Sequence, residues 1–103
     1  MPRQFDVHRM AVPGAPLVVV VQSDLLADLA SCIVIPLVPV AQSAGEALPR
    51  LKPDVCIDGD TYILMTTDMA ALPVRRLGPA VTNIEDTSRG VILAAIDLLI
   101  FGV

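Results

Sequence analysis

The segment Val91-Ile-Leu-Ala-Ala-Ile-Asp-Leu-Leu-Ile-Phe-Gly-Val103 is apolar around almost its whole circumference when wound as a helix. Asp86, Thr87 and Ser88 offer N-caps ahead of it, so the pattern predicts a helix from about Arg89 to Ile100. A helix packed on one sheet buries one stripe, and the remaining apolar faces then need a second surface. A membrane span needs about 20 consecutive apolar residues, and Asp97 interrupts this shorter run. The last three residues, Phe101, Gly102 and Val103, therefore read as a protein-contact element.

The 103 residues are expected to form one domain over 1–103. Apolar residues make up 54% of the chain and aromatics only 3%. An aliphatic core with apolar area to spare predicts a homodimer, because large exposed patches mark interfaces. The net charge is −4, and no basic run is longer than Arg75-Arg76. Nucleic-acid binding depends on phosphate neutralisation, so no direct specific nucleic-acid binding is expected.

Cys32 and Cys56 lie 24 positions apart, with no CxxC and no paired His. Zinc sites need clustered ligands, so the two thiols read as reduced core residues, with no metal and no cofactor. Met1-Pro-Arg-Gln-Phe-Asp-Val7 lacks the apolar stretch of a signal peptide. The expected location is the cytoplasm, with no membrane partner.

Gln4 to Arg9 alternates Phe5 and Val7 with polar residues, the pattern of a half-buried strand. Pro13-Gly-Ala-Pro16 marks a turn, and Leu17 to Gln22 is a β-branched run suited to a strand buried on both faces. Leu25 and Leu26 sit in an excursion before a strand over Cys32–Leu37, where Pro36 implies an edge or a bulge. Val40 to Lys52 reads as a loop or short helix between Pro39 and Pro53. Val55–Ile57 and Thr61–Met65 flank Asp58-Gly-Asp60, and Asp-Gly is a strong hairpin signal because a type I′ turn needs positive φ twice. A polar-then-apolar connection follows, leading to a short strand near Val74. The order is mostly β with one C-terminal helix, which fits a small antiparallel barrel-like sheet with the helix across it.

Little in the chain suggests catalysis. Thr66, Thr67 and Asp68 read as turn residues whose side chains bond nearby backbone. His8 is placed on the polar face of the first strand, without an adjacent nucleophile. The protein is expected not to be an enzyme.

Four segments, in order, resemble the CcdB family: Val20-Val-Gln-Ser-Asp-Leu-Leu26, Ile33-Val-Ile-Pro-Leu37, Leu64-Met-Thr-Thr-Asp-Met-Ala-Ala-Leu-Pro-Val74 and Ala95-Ile-Asp-Leu-Leu-Ile-Phe-Gly-Val103. The resemblance implies an SH3-like barrel of the CcdB/MazF (Kid) superfamily, a homodimer, and the toxin half of a bacterial type II toxin–antitoxin pair. Such toxins bind the A subunit of DNA gyrase, trap its cleaved-DNA complex, and are neutralised by a disordered cognate antitoxin. The family's gyrase-binding pattern falls here on Phe101, Gly102 and Val103 (usually Trp-Gly-Ile), on Leu25 and Leu26, and on Asp97 (usually Asn). Ser31-Cys32 stands where the family carries an Arg pair. Two other readings stay open: a relative that dimerises and binds antitoxin but spares gyrase, and an endoribonuclease of the MazF/Kid class.

Overall fold

The computed structural model describes residues 1–10, 16–42 and 48–102, the side chain of Gln42 excepted. Among these residues seven strands form one antiparallel sheet: β1 (Asp6–Arg9), β2 (Leu17–Val20), β3 (Ser31–Pro39), β4 (Asp54–Ile57), β5 (Asp60–Leu64), β6 (Ala70–Pro73) and β7 (Ala80–Asn83). The order across the sheet is β4-β5-β3-β2-β1-β7, with β6 also on β3. One helix, α1 (Glu85–Phe101), packs across the curled sheet.

β2 shows how the sheet holds two apolar layers. All four of its residues are buried. Leu17 and Val19 point into the main core, with Phe5, Val7, Ile35, Leu37, Val55, Ile57, Leu64, Ile84, Ile92 and Ala95. Val18 and Val20 point the other way, into a smaller cluster with Cys32 and Val34, flanked by Met10, Leu72, Val74 and Leu77. A strand buried on both faces needs no polar alternation, as the run Leu17–Val20 indicates.

The Asp58-Gly59 turn is as expected: both residues have positive φ (52° and 85°), and Ile57 pairs with Asp60 across it. Phe5 and Val7 are both fully buried, although Phe5 precedes the strand in a left-handed conformation with φ 72°. The Phe5 amide donates to the Val20 carbonyl at 2.6 Å, and the Phe5 carbonyl accepts from Ile84 at 3.0 Å. Arg89 lies over the Phe5 ring, 5.7 Å from its centre.

Five expectations need correction, the last of them concerning Cys56. Pro36 lies neither on an edge nor in a bulge but in the middle of β3, opposite Val18. Its carbonyl accepts from Met65 N–H at 2.9 Å. Its nitrogen, which faces the same side, falls in the gap between β6, paired with Ser31–Val34, and β5, paired with Leu37–Pro39. The missing donor therefore costs the ladder nothing.

The strand expected near Val74 is instead Ala70–Pro73, and Val74–Arg76 is a 3-10 turn. The helix starts one turn early, at Glu85, where Asn83 Oδ1 accepts the Glu85 amide at 3.0 Å and Glu85 and Asp86 complement the N-terminal dipole. His8 is buried, because β7 and Gly78 run beside it: its Nδ1–H donates to the Gly78 carbonyl at 2.9 Å. Its Nε2 is 3.9 Å from Asp6 Oδ2 and makes no hydrogen bond among the described residues.

Both cysteines lie in strands and are free, but only Cys32 is a core residue; Cys56 is exposed on β4. The turn Pro13–Pro16 falls largely on residues 11–15, outside those described. The loop expected over Val40–Lys52 begins with a 3-10 turn, Val40–Gln42; its residues 43–47 also lie outside.

Candidate protein-contact surface

The buried residues of α1 are Ser88, Ile92 and Ala95, a stripe at intervals of four and three. Leu93 and Ile96 support it at the margin of the core. Val91, Leu99, Ile100 and Phe101 remain exposed, Phe101 to 74%. One sheet thus buries about one third of the helix circumference, and the rest of its apolar surface faces outward.

Phe101 is the last helical residue. Gly102 ends the helix with φ 77°, its amide donating to the Asp97 and Leu98 carbonyls, each at 3.1 Å. A left-handed residue after the last turn satisfies carbonyls that would otherwise lack donors, and glycine adopts it without Cβ strain. Asp97 lies one turn before Phe101 and is exposed. The structure therefore brings Asp97, Phe101 and Gly102 together at the C-terminal end of α1. Val103 lies outside the described residues.

Leu25 and Leu26 form a separate element. They sit in the 3-10 turn Asp24–Leu26, capped by Ser23 Oγ, which accepts the Leu25 amide at 3.1 Å. Leu25 is 94% exposed, and no hydrogen bond among the described residues joins this turn to α1. A second bond, from Gln4 N–H to Asp24 Oδ1 at 2.8 Å, anchors the turn to the N-terminal segment. It presents a leucine to solvent on a braced support.

A further feature escapes sequence reasoning. Val91, Ala94 and Asp97 on α1 face Pro49, Arg50 and Pro53 across a groove of about 460 Å³. Leu98 faces Leu48, Pro49, Arg50 and Leu51 across an adjoining one of about 440 Å³.

Thr66 is fully buried with its Oγ1 donating to the Leu64 carbonyl at 3.5 Å, inside the 3-10 turn Thr66–Asp68. Arg75 and Arg76 are exposed. Among the described residues no three His, Cys, Asp or Glu side chains cluster in a way that would hold a metal. No helix among them is long and apolar enough to cross a membrane.

The described residues thus form a curled antiparallel sheet spanned by a C-terminal helix whose outer face carries exposed apolar side chains. The family model described as "CcdB protein" matches residues 4–102, and the chain belongs to that family. Among solved structures, the fold is shared with an endoribonuclease in complex with its cognate antitoxin from Mycobacterial species. The two are 16% identical with a TM-score of 0.76, over 100% of this chain and 97% of that one.

Proposed function

We propose that this CcdB-family chain is the toxin of a bacterial type II toxin–antitoxin module. It binds the A subunit of DNA gyrase, traps the cleaved-DNA complex, performs no chemistry of its own, and is neutralised in the cytoplasm by a cognate antitoxin. The observation that carries this reading is the unburied apolar end of α1, with Phe101 74% exposed beside a helix-ending glycine. Large aromatic side chains at the centre of a contact dominate binding energy.

In this reading residues 1–103 are one domain and the working unit is a homodimer, in which a twofold axis duplicates each anchor. Phe101, Gly102, Val103 and Asp97 form the gyrase contact at the helix end, and Leu25 and Leu26 form a second contact. Membership of the CcdB family supports the toxin role. The shared fold of a protein solved with its cognate antitoxin supports an antitoxin partner.

Calorimetric titration against the dimerisation fragment of the host gyrase A subunit tests the proposal. The expected result is one toxin dimer per gyrase A dimer, with binding abolished by deleting Gly102-Val103 while the melting transition persists. A folded dimer that ignores gyrase but binds antitoxin would point to the retuned relative. RNA cleavage by the purified protein, lost in Arg75→Ala/Arg76→Ala, would instead favour the endoribonuclease reading.

A further inference from the structure

We propose that the groove between α1 and the Leu48–Pro53 segment docks a peptide segment bearing a bulky apolar side chain and a carboxylate, supplied by the antitoxin. The supplier rests on the toxin–antitoxin reading above; the chemistry of the groove does not.

The wall opposite α1 is built in advance. The Leu51 and Lys52 amides both donate to the Leu48 carbonyl, at 3.0 and 2.7 Å, closing a turn. The Pro53 carbonyl accepts from Leu64 at 3.0 Å, tying that turn to β5. Pro49 and Pro53 fix φ at both ends of the wall. A site that needs no ordering on binding spends less of its contact energy.

The lining sets the occupant. Leu48, Leu51 and Leu98 make one lobe apolar, with Leu48 54% exposed among the described residues. Its volume, about 440 Å³, holds a leucine- or phenylalanine-sized side chain with its backbone. Arg50 lines both lobes, is exposed, and has no ion-pair or hydrogen-bond partner among the described residues. In a chain of net charge −4, this places one cation at the middle of an apolar groove. Asp97 in the other lobe repels a second acid, so a carboxylate has one favourable place to sit. Opposite charges across a contact fix register as well as partner. A shallow apolar strip between one helix and one loop, with its single cation, suits a segment laid along it.

The test selects a phage-displayed random-peptide library on the wild-type protein and measures the enriched synthetic peptides by fluorescence anisotropy. Enriched peptides are expected to carry Asp or Glu near Leu, Ile, Met or Phe. Arg50→Glu, at an exposed position, should weaken them by roughly tenfold or more while leaving the melting transition unchanged. Replacing the peptide's acid by lysine should restore binding to Arg50→Glu, and Val91→Glu should weaken binding to every such peptide. Indifference to Arg50→Glu and Val91→Glu, or no enrichment on the folded protein, would overturn the groove. Groove-bound peptides that fail to compete with a neutralising antitoxin would overturn the antitoxin as occupant while leaving the toxin–antitoxin reading standing. If no antitoxin neutralises the chain, that reading fails, and the charge-swap result still decides the groove.

Discussion

Cys32 is sealed in the smaller apolar cluster, while Cys56 stands exposed on β4. A thiol reagent should therefore label one cysteine per chain in the native protein and the second only on unfolding; mass spectrometry of labelled peptides identifies each. Burial pushes the Cys32 thiol above its ordinary value of 9.0. The folded state thus holds this proton more tightly than the unfolded one. The associated stability is complete below that ordinary value and is lost as pH rises through the raised one. Urea melts of wild type and Cys32→Ala should converge as pH passes upward through this range. Gly59 carries a different constraint: with φ 85° and open space around its Cα, a side chain there meets backbone strain alone. Gly59→Ala should cost about 1 kcal/mol in the same assay.

At the level of elements, α1 divides into a buried stripe and an outward one. Ile92→Ala removes a fully buried side chain and should cost about 2–5 kcal/mol. Val91→Ala, at an exposed site one residue away, should stay within about 0.5 kcal/mol. A methyl group on Gly90 would meet nothing within 4 Å, and the backbone there has no positive φ. Gly90→Ala should therefore stabilise the helix by about 0.5–1 kcal/mol. Urea unfolding at fixed protein concentration orders the three. Much of this architecture was legible where local chemistry is decisive: the Asp58-Gly59 turn, the doubly buried strand expected over Leu17–Gln22 and found over Leu17–Val20, and a helix too apolar for one sheet. β7 was not, because it is four residues long and its alternation is broken by an irregular register against Val7 and His8. Missing β7 also hid the burial of His8, whose covering groups come from the far end of the chain. The exposed end of α1 could be read from its run of hydrophobes. The wall at Leu48–Pro53 could not, since its position opposite Val91 and Leu98 is a tertiary fact without a local pattern.

For the molecule as a whole, the sheet and helix satisfy each other on one side and leave apolar side chains outside the contacts proposed above, among them Leu29, Val40 and Leu99, to solvent. A chain with this surplus is expected to associate, so its apparent melting temperature should rise with protein concentration. Sedimentation equilibrium should give a dimer mass. A concentration-independent melt at monomer mass would contradict the homodimer.

The stripe of α1 that the sheet does not cover also has a consequence for how such a protein changes over generations. Substitutions at Val91, Asp97, Ile100 or Phe101 remove little buried contact within the chain, so selection on folding hardly restrains them. A phenylalanine or an aspartate can replace a tryptophan or an asparagine there at almost no cost to the native state. If this face is the contact proposed above, the surface that grips a partner is also the one that folding restrains least, and the partner can change while the scaffold beneath it stays the same.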